Sequence, residues 1–176
     1  MAQAAWPLLL INPEINRYYL TVPIKFREKL KDWNKQQEFY EEAVKHANDK
    51  DVFIWSIFLK ENDECIGRIS CHEANKEDEN INNPSIRGVG WFIDPKYQGK
   101  GYCTEAARIM IKYMFEECEI DEIKTGAAIE NPNSWKIMEK LGFEKQKENK
   151  FVQYTYLDNP TEIYCYNLTK ENYRGK

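Results

Sequence analysis

The 176 residues suit one domain with one core, and 42% apolar with 14% aromatic residues is enough to fill it, which excludes wholesale disorder. The net charge of -4, with 25 Lys and Arg interleaved among 29 Asp and Glu, lacks the basic balance of a nucleic-acid binder but leaves room for a small anionic ligand in one pocket. Five cysteines, an odd count with no Cys-x-x-Cys, argue against a disulfide framework and for the reducing cytoplasm, and two histidines without ligand spacing argue against a metal site.

The longest apolar run, "WPLLLI", is too short to span a bilayer, and "MAQAA" lacks the charged start of a signal peptide. Residues 3–11 read as a short helix broken at Pro7, or as the tail of a longer one. "NPEINRYYL" reads as a turn and an aromatic segment. Over residues 27–48, Leu30, Trp33, Phe39 and Ala43 recur at helical spacing. "DVFIWSIFLK" is a dense row of β-branched and aromatic residues and predicts a strand. After the turn "ENDE", "CIGRISCHE" predicts a second strand and so a hairpin. "ANKEDENINNPS" is polar throughout and reads as a surface loop. "IRGVGWFID" predicts a third strand, ended by Pro95.

The stretch "YQGKGYCTEA" then leads into the clearest helix. Cys103, Ala106, Ala107, Met110, Ile111, Met114, Phe115 and Cys118 fall on one face, with Glu105, Arg108, Lys112 and Glu116 on the other. "DEIKTGAAI" predicts a fourth strand. "NPNSWKIMEKLGF" predicts a helix with Asn131 as its N-cap, Pro132 at the first position and Gly142 at the C-terminal cap. "KFVQYTYL" and "TEIYCYNLT" predict two closing strands around "DNP". No repeat or linker interrupts residues 1–176. The order predicts an α/β (α+β) domain, a mixed sheet with helices on both faces.

A strand, a Gly-rich turn and a helix start together make an anion site. The first N–H groups of a helix have no intrahelical acceptor, and the helix dipole places roughly half a positive charge there. Gly99 and Gly101 let a phosphate approach the main chain, and Lys100 adds charge. The nucleoside-triphosphate loop is absent, because Asp94 stands where its first glycine belongs. A dinucleotide fingerprint fails at its third glycine, which is Thr104. A plain turn without a ligand is the bland alternative.

The segment "GVGWFIDPKYQGKGYCTEAARIMIKYMF...NPNSWKIMEKLGF" resembles the GCN5-related N-acetyltransferase (GNAT) superfamily, in the branch of ribosomal-protein N-terminal acetyltransferases. Its acyl-CoA loop reads Gln/Arg-x-x-Gly-x-Gly/Ala; Gln98 and Gly101 match, and Cys103 departs at the last place. The resemblance implies a twisted, mostly antiparallel sheet. It also implies that the usual first strand is missing, because few residues precede "NPEINRYYLTVP". It implies direct acetyl transfer from acetyl-CoA to a primary amine, with no metal. Gln98, Gly99, Lys100, Gly101, Tyr102, Cys103 and Thr104 would hold the pyrophosphate. Pantetheine would lie along the third strand and be held by Asn131, and a bulge would aim the amide of Phe92 or Ile93 at the acetyl carbonyl.

Many relatives use a Tyr to protonate the leaving thiolate. Met138 stands there in this chain, which makes Ser134 the replacement candidate, with a backbone-bonded hydroxyl as the ordinary alternative. Cys103 as a nucleophile is weighed against its place in the apolar stripe. For the proton of the amine the candidates are His72, Glu73, Glu130 or water. Alternation sends His72 and Glu73 to opposite faces of their strand. Trp55, Trp91 and Trp135 read as core or cleft walls, and Tyr154, Tyr156, Tyr164 and Tyr166 read as packing. The partners implied are acetyl-CoA and an amine acceptor; a homodimer is compatible, and neither nucleic acid nor a membrane is called for. A CoA-binding module without transfer activity is the alternative function.

Overall fold

Short runs of alternating apolar residues, cut by turns, build one sheet in the computed structural model. The structure describes residues 9, 12–18, 32, 34–35, 37–38, 41, 45, 52–74, 83–154 and 158–174. In chain order the elements are helix α1 (Pro13–Asn16), strands β1 (Phe53–Phe58), β2 (Cys65–Glu73) and β3 (Ile86–Ile93), helix α2 (Tyr102–Glu117), strand β4 (Glu122–Ala128), helix α3 (Pro132–Lys140) and strands β5 (Glu144–Lys145), β6 (Lys150–Val152) and β7 (Thr161–Thr169). The sheet runs β1-β2-β3-β4-β7-β5, with β6 also on β7. Among the described residues, only β3 and β4 pair in parallel.

The apolar stripe of α2 decides which sheet face is the core. Ala107, Met110, Ile111, Met114 and Phe115 pack onto Ile69, Cys71, Val89, Ile123, Tyr166 and Leu168, joined by Met138 and Phe143 around α3. Burying each large side chain contributes about 1.5–3 kcal/mol, so this layer outweighs any local propensity. The opposite face is sparser. There Tyr18, just after α1, meets Tyr154 edge-on at 6.0 Å over Ala128 and Ile163.

The parallel ladder between β3 and β4 is short, running from Ile86↔Glu122 to Gly88↔Lys124. Beyond it β3 stays on β2 as far as Ile93, and β4 stays on β7 as far as Ala128. The two halves of the sheet therefore part. Thr125 Oγ1 donates to Val89 O at 2.9 Å and replaces the first missing main-chain partner.

Most predicted elements stand where the hydrophobic pattern puts them. Three points differ. The closing strand predicted over residues 150–157 is only three residues long, and residues 155–157 lie outside the described residues. Strand β5 has only two residues, too few to leave a periodic signal. The register of β2 on β3 advances without a shift from Glu73↔Arg87 to Gly67↔Ile93, so no bulge interrupts that pairing, and separation from β4 opens the strand instead. The expected loss of a first strand falls on residues outside the described ones, as does Tyr156. The described residues between 34 and 45 are helical, as the spacing predicts.

Candidate active site

The ladder fixes where the β3 amides point. Asp94 N donates to Ile66 O at 2.8 Å. Because successive amides of a strand point to opposite sides, the Phe92 amide also turns to β2, while those of Trp91 and Ile93 turn toward the gap beside β4. Trp91 lines the gap, and its buried indole N–H has no partner among the described residues. The Ile93 carbonyl, on the same side, accepts from Gln98 Nε2 at 3.1 Å, and Gln98 Oε1 accepts from Asn133 Nδ2 at 3.4 Å. One carboxamide thus ties the end of β3 to the start of α3.

Asp94 and Pro95 stop the strand by making a 3-10 turn, Pro95–Tyr97, in which Asp94 Oδ1 accepts from Lys96 N at 3.0 Å. The chain then turns through Gly99 at φ 76° and Gly101 at φ 90°, a region that a side chain would disfavour. Gly101 is the N-cap of α2 and offers no capping side chain. The first bond into the helix is Glu105 N to Gly101 O at 3.0 Å. The amides of Tyr102, Cys103 and Thr104 therefore have no acceptor inside the helix. Lys100 is exposed beside them, its Nζ 5.2 Å from the Tyr97 ring centroid.

Cys103 packs with Leu59, Ile66 and Ile93, and burial pushes its thiol up to about 12. A thiol so placed is a packing group rather than a nucleophile.

Across the gap, Asn131 is the N-cap of α3 with Pro132 next to it, as predicted, but without a side-chain bond. The Asn131 side chain makes no capping bond; its main-chain carbonyl accepts from Ser134 N at 3.1 Å and Trp135 N at 3.4 Å. The carboxamide is left on the cleft wall. Ser134 also lines the cleft, and its hydroxyl makes no hydrogen bond among the described residues. Trp135 anchors this turn by donating from its indole to Ile129 O at 3.1 Å and meeting Tyr164 edge-on. At the other end Gly142, at φ 87°, closes α3 as predicted, with Phe143 N bonded to Met138 O at 3.0 Å.

His72 and Glu73 separate as alternation requires. Glu73 pairs with Arg87, at the exposed end of β2, and His72 pairs with Gly88. His72 is exposed to the cleft by surface area, while the protein packed around its ring partly strips it of water. That loss of water lowers its pKa; a hydrogen bond between Nδ1 and Glu73 O, 2.8 Å, opposes the shift, and the nearby Arg68 charge adds to it. Glu130 is exposed. The polar loop predicted after β2 lies mostly outside the described residues.

Apart from Lys100 and Trp135, the predicted site residues described above line one cleft of about 1960 Å³. It runs from the head of α2, through the gap between β3 and β4, and over the sheet face that carries Arg68, Ser70 and His72. Sequence reasoning missed Ser70, Thr125 and the Gln98–Asn133 link, because each depends on which strands become neighbours.

Residues 3–144 match the family model described as an acetyltransferase (GNAT) domain. The chain is 28% identical over 117 residues to the probable N-acetyltransferase YjcK of Bacillus subtilis, covering 63% of this chain and 59% of that protein. It is 29% identical over 113 residues to the putative ribosomal N-acetyltransferase YdaF of the same organism, covering 62% and 56%. The aligned part thus spans less than two thirds of either relative. The fold is shared with spermidine N-acetyltransferase of Vibrio cholerae in complex with CoA and spermine, at TM-score 0.73, 18% identity, 95% of this chain and 89% of that one.

Proposed function

Because the chain belongs to the acetyltransferase (GNAT) domain family, we propose that it moves an acetyl group from acetyl-CoA to a primary amine, on a protein N-terminus or a small molecule, by direct transfer. One observation carries the reading. The head of α2 presents main-chain amides without internal acceptors, on a glycine turn, at the mouth of a gap in a parallel strand pair. A diphosphate fits such a head because each amide gains an anionic acceptor and no Cβ intervenes at Gly99 or Gly101.

In this reading Gln98, Gly99, Lys100, Gly101, Tyr102, Cys103 and Thr104 hold the diphosphate of the cosubstrate. The edge of β3 beyond Gly88 receives its extended arm, as an added strand would be received, and Asn131 holds that arm from the facing wall. Acetyl-CoA itself supplies an acyl group activated as a thioester. Of the two amides turned into the gap, that of Trp91, beside Gly90, steadies the negative charge that develops on the acyl oxygen; that of Ile93, nearer α2, holds the arm, and Phe92 supports the strand from β2. Ser134 protonates the departing sulfur, as the only hydroxyl of α3, whereas Met138 is 1% exposed in the core and carries no proton to give. His72 and Glu73 flank the amine side. The five free cysteines support a cytoplasmic setting.

The test is release of free thiol from acetyl-CoA in the presence of spermidine, glucosamine or an alanyl peptide, with mass spectrometry of the product. Spermidine and the peptide are chosen because related proteins carry spermidine and ribosomal targets in their names. Thiol release with any of them is expected. A protein that melts higher with acetyl-CoA but releases no thiol is a CoA-binding module, and transfer is then wrong.

A further inference from the structure

Two glycines on β3 leave a hollow in the open sheet face, and His72 lies in half of it. A methyl group built on Gly88 would sit 2.1 Å from His72 Cε1 and 2.4 Å from Nδ1, so the ring occupies the place of a side chain. A methyl group on Gly90 would sit 3.6 Å from His72 Nε2 and 3.7 Å from Ser70 Oγ. The space over Gly90 is thus bordered by one ring nitrogen and one hydroxyl, both on the cleft wall. The other ring nitrogen, Nδ1, is 2.8 Å from Glu73 O, a carbonyl that can only accept. Nδ1 therefore carries the proton in the neutral ring, and Nε2 presents a lone pair to the hollow. Ser70 Oγ donates to Gly90 O at 3.4 Å, which leaves its own lone pairs for a donor. A group with N–H bonds fits between them.

We propose that the hollow over Gly90 seats the acceptor nitrogen, with Ser70 Oγ and His72 Nε2 receiving its N–H bonds and His72 taking the proton released as the new amide forms. This rests on the transferase reading above. The nitrogen bonds to the acyl carbon and the carbon–sulfur bond breaks. One N–H proton goes to Nε2 and from there to water. The sulfur takes its proton from Ser134, which regains it from water. His72 is the catalytic residue here, and Gly88 is a positioning residue that leaves room for the ring against β3. The lowered pKa keeps His72 neutral near pH 7, as a base must be. Among the described residues, Arg68 on its own strand acts on it by charge; the Glu122–Lys124 pair on β4, and Glu14 and Arg17 from α1 and the turn after it, line the same cleft. β1 offers only Ile54 and Ser56 to this face.

The experiment measures kcat, KM for spermidine, glucosamine or an alanyl peptide, and the pH profile of kcat/KM in wild type, His72→Gln, Ser70→Ala, Gly88→Ala and Glu73→Gln. His72→Gln is expected to lower kcat about 100-fold, the lower end for a general base, to leave KM for acetyl-CoA unchanged, and to remove an acid limb lying below pH 6.5. Ser70→Ala is expected to raise KM for the amine. Gly88→Ala is expected to lower kcat in wild type but to add nothing in the His72→Gln background, a dependence that mere loss of structure would not produce. If His72→Gln folds, binds acetyl-CoA and retains wild-type kcat and acid limb, the assignment is overturned while transfer stands. An acid limb lost in Glu73→Gln and kept in His72→Gln overturns it equally. A wild type that releases no thiol overturns both readings.

Discussion

Replacing Gly101 with alanine adds one methyl group at a position where the free protein has nothing within 4 Å of it. Its cost to folding is therefore torsional. At φ 90° an L-residue is disfavoured by about 1–2 kcal/mol. For a chain of this length each kcal/mol lowers Tm by about 2–4 °C, so a drop of about 2–8 °C is expected. Gly142 provides a matched control: its φ is 87°, it also has nothing within 4 Å, and it caps the far end of α3. Gly142→Ala should cost about as much. Only the ligand separates the two. At 100 times its dissociation constant, CoA stabilises wild type and Gly142→Ala by about 2.7 kcal/mol. With the diphosphate on the α2 amides as proposed, the methyl group of Gly101→Ala stands in its path. Loss of one hydrogen bond to a charged group, about 1.5 kcal/mol, weakens binding roughly tenfold. The same CoA concentration then stabilises by only about 1.4 kcal/mol. Melting curves with and without CoA, backed by titration calorimetry, read this difference directly. Equal CoA shifts in the two variants would show that the anion is not held at the head of α2.

Three further outcomes follow from the geometry. Ser134→Ala should lower kcat by about 100-fold without changing the CoA-induced shift in Tm; unchanged turnover removes Ser134 from the mechanism. Gly67→Ala places a methyl group 2.4 Å from Phe92 O and 2.7 Å from Ile93 Cδ1, so it should cost about 1–3 kcal/mol in chemical denaturation and weaken CoA binding by displacing β3; a wild-type denaturation midpoint contradicts the packing described. Since the folded pKa of His72 lies below its ordinary value of 6.5, the unfolded chain takes up the proton first as pH falls. That contribution to stability is complete above pH 6.5 and is lost as pH drops from there toward the folded pKa. His72→Gln should flatten this part of the curve of stability against pH, and an unaltered curve would mean that the ring is not desolvated in the fold.

The stripe of Ala107, Met110, Ile111, Met114 and Phe115 and the alternation in the strands that cover it were legible in the sequence because their periods are local. So was the glycine turn before α2, because a backbone at φ 76° and 90° demands glycine whatever surrounds it. The separation of His72 from Glu73 was legible too, since it needs only the pleat of one strand. Strand β5 was not, because its two residues become a strand only through pairing with Asn167 and Tyr166. Asn131 was legible as the N-cap position of α3, but local rules favour a capping side chain, and only the tertiary structure leaves that carboxamide unbonded on the cleft wall. The seat of His72 depends on Gly88 facing it from another strand, 16 residues later in the chain. Local order set the elements and the glycine turn by itself, whereas the gap between β3 and β4 and the polar groups around it arise only when distant strands settle their register, since pairing and not sequence spacing brings those atoms together.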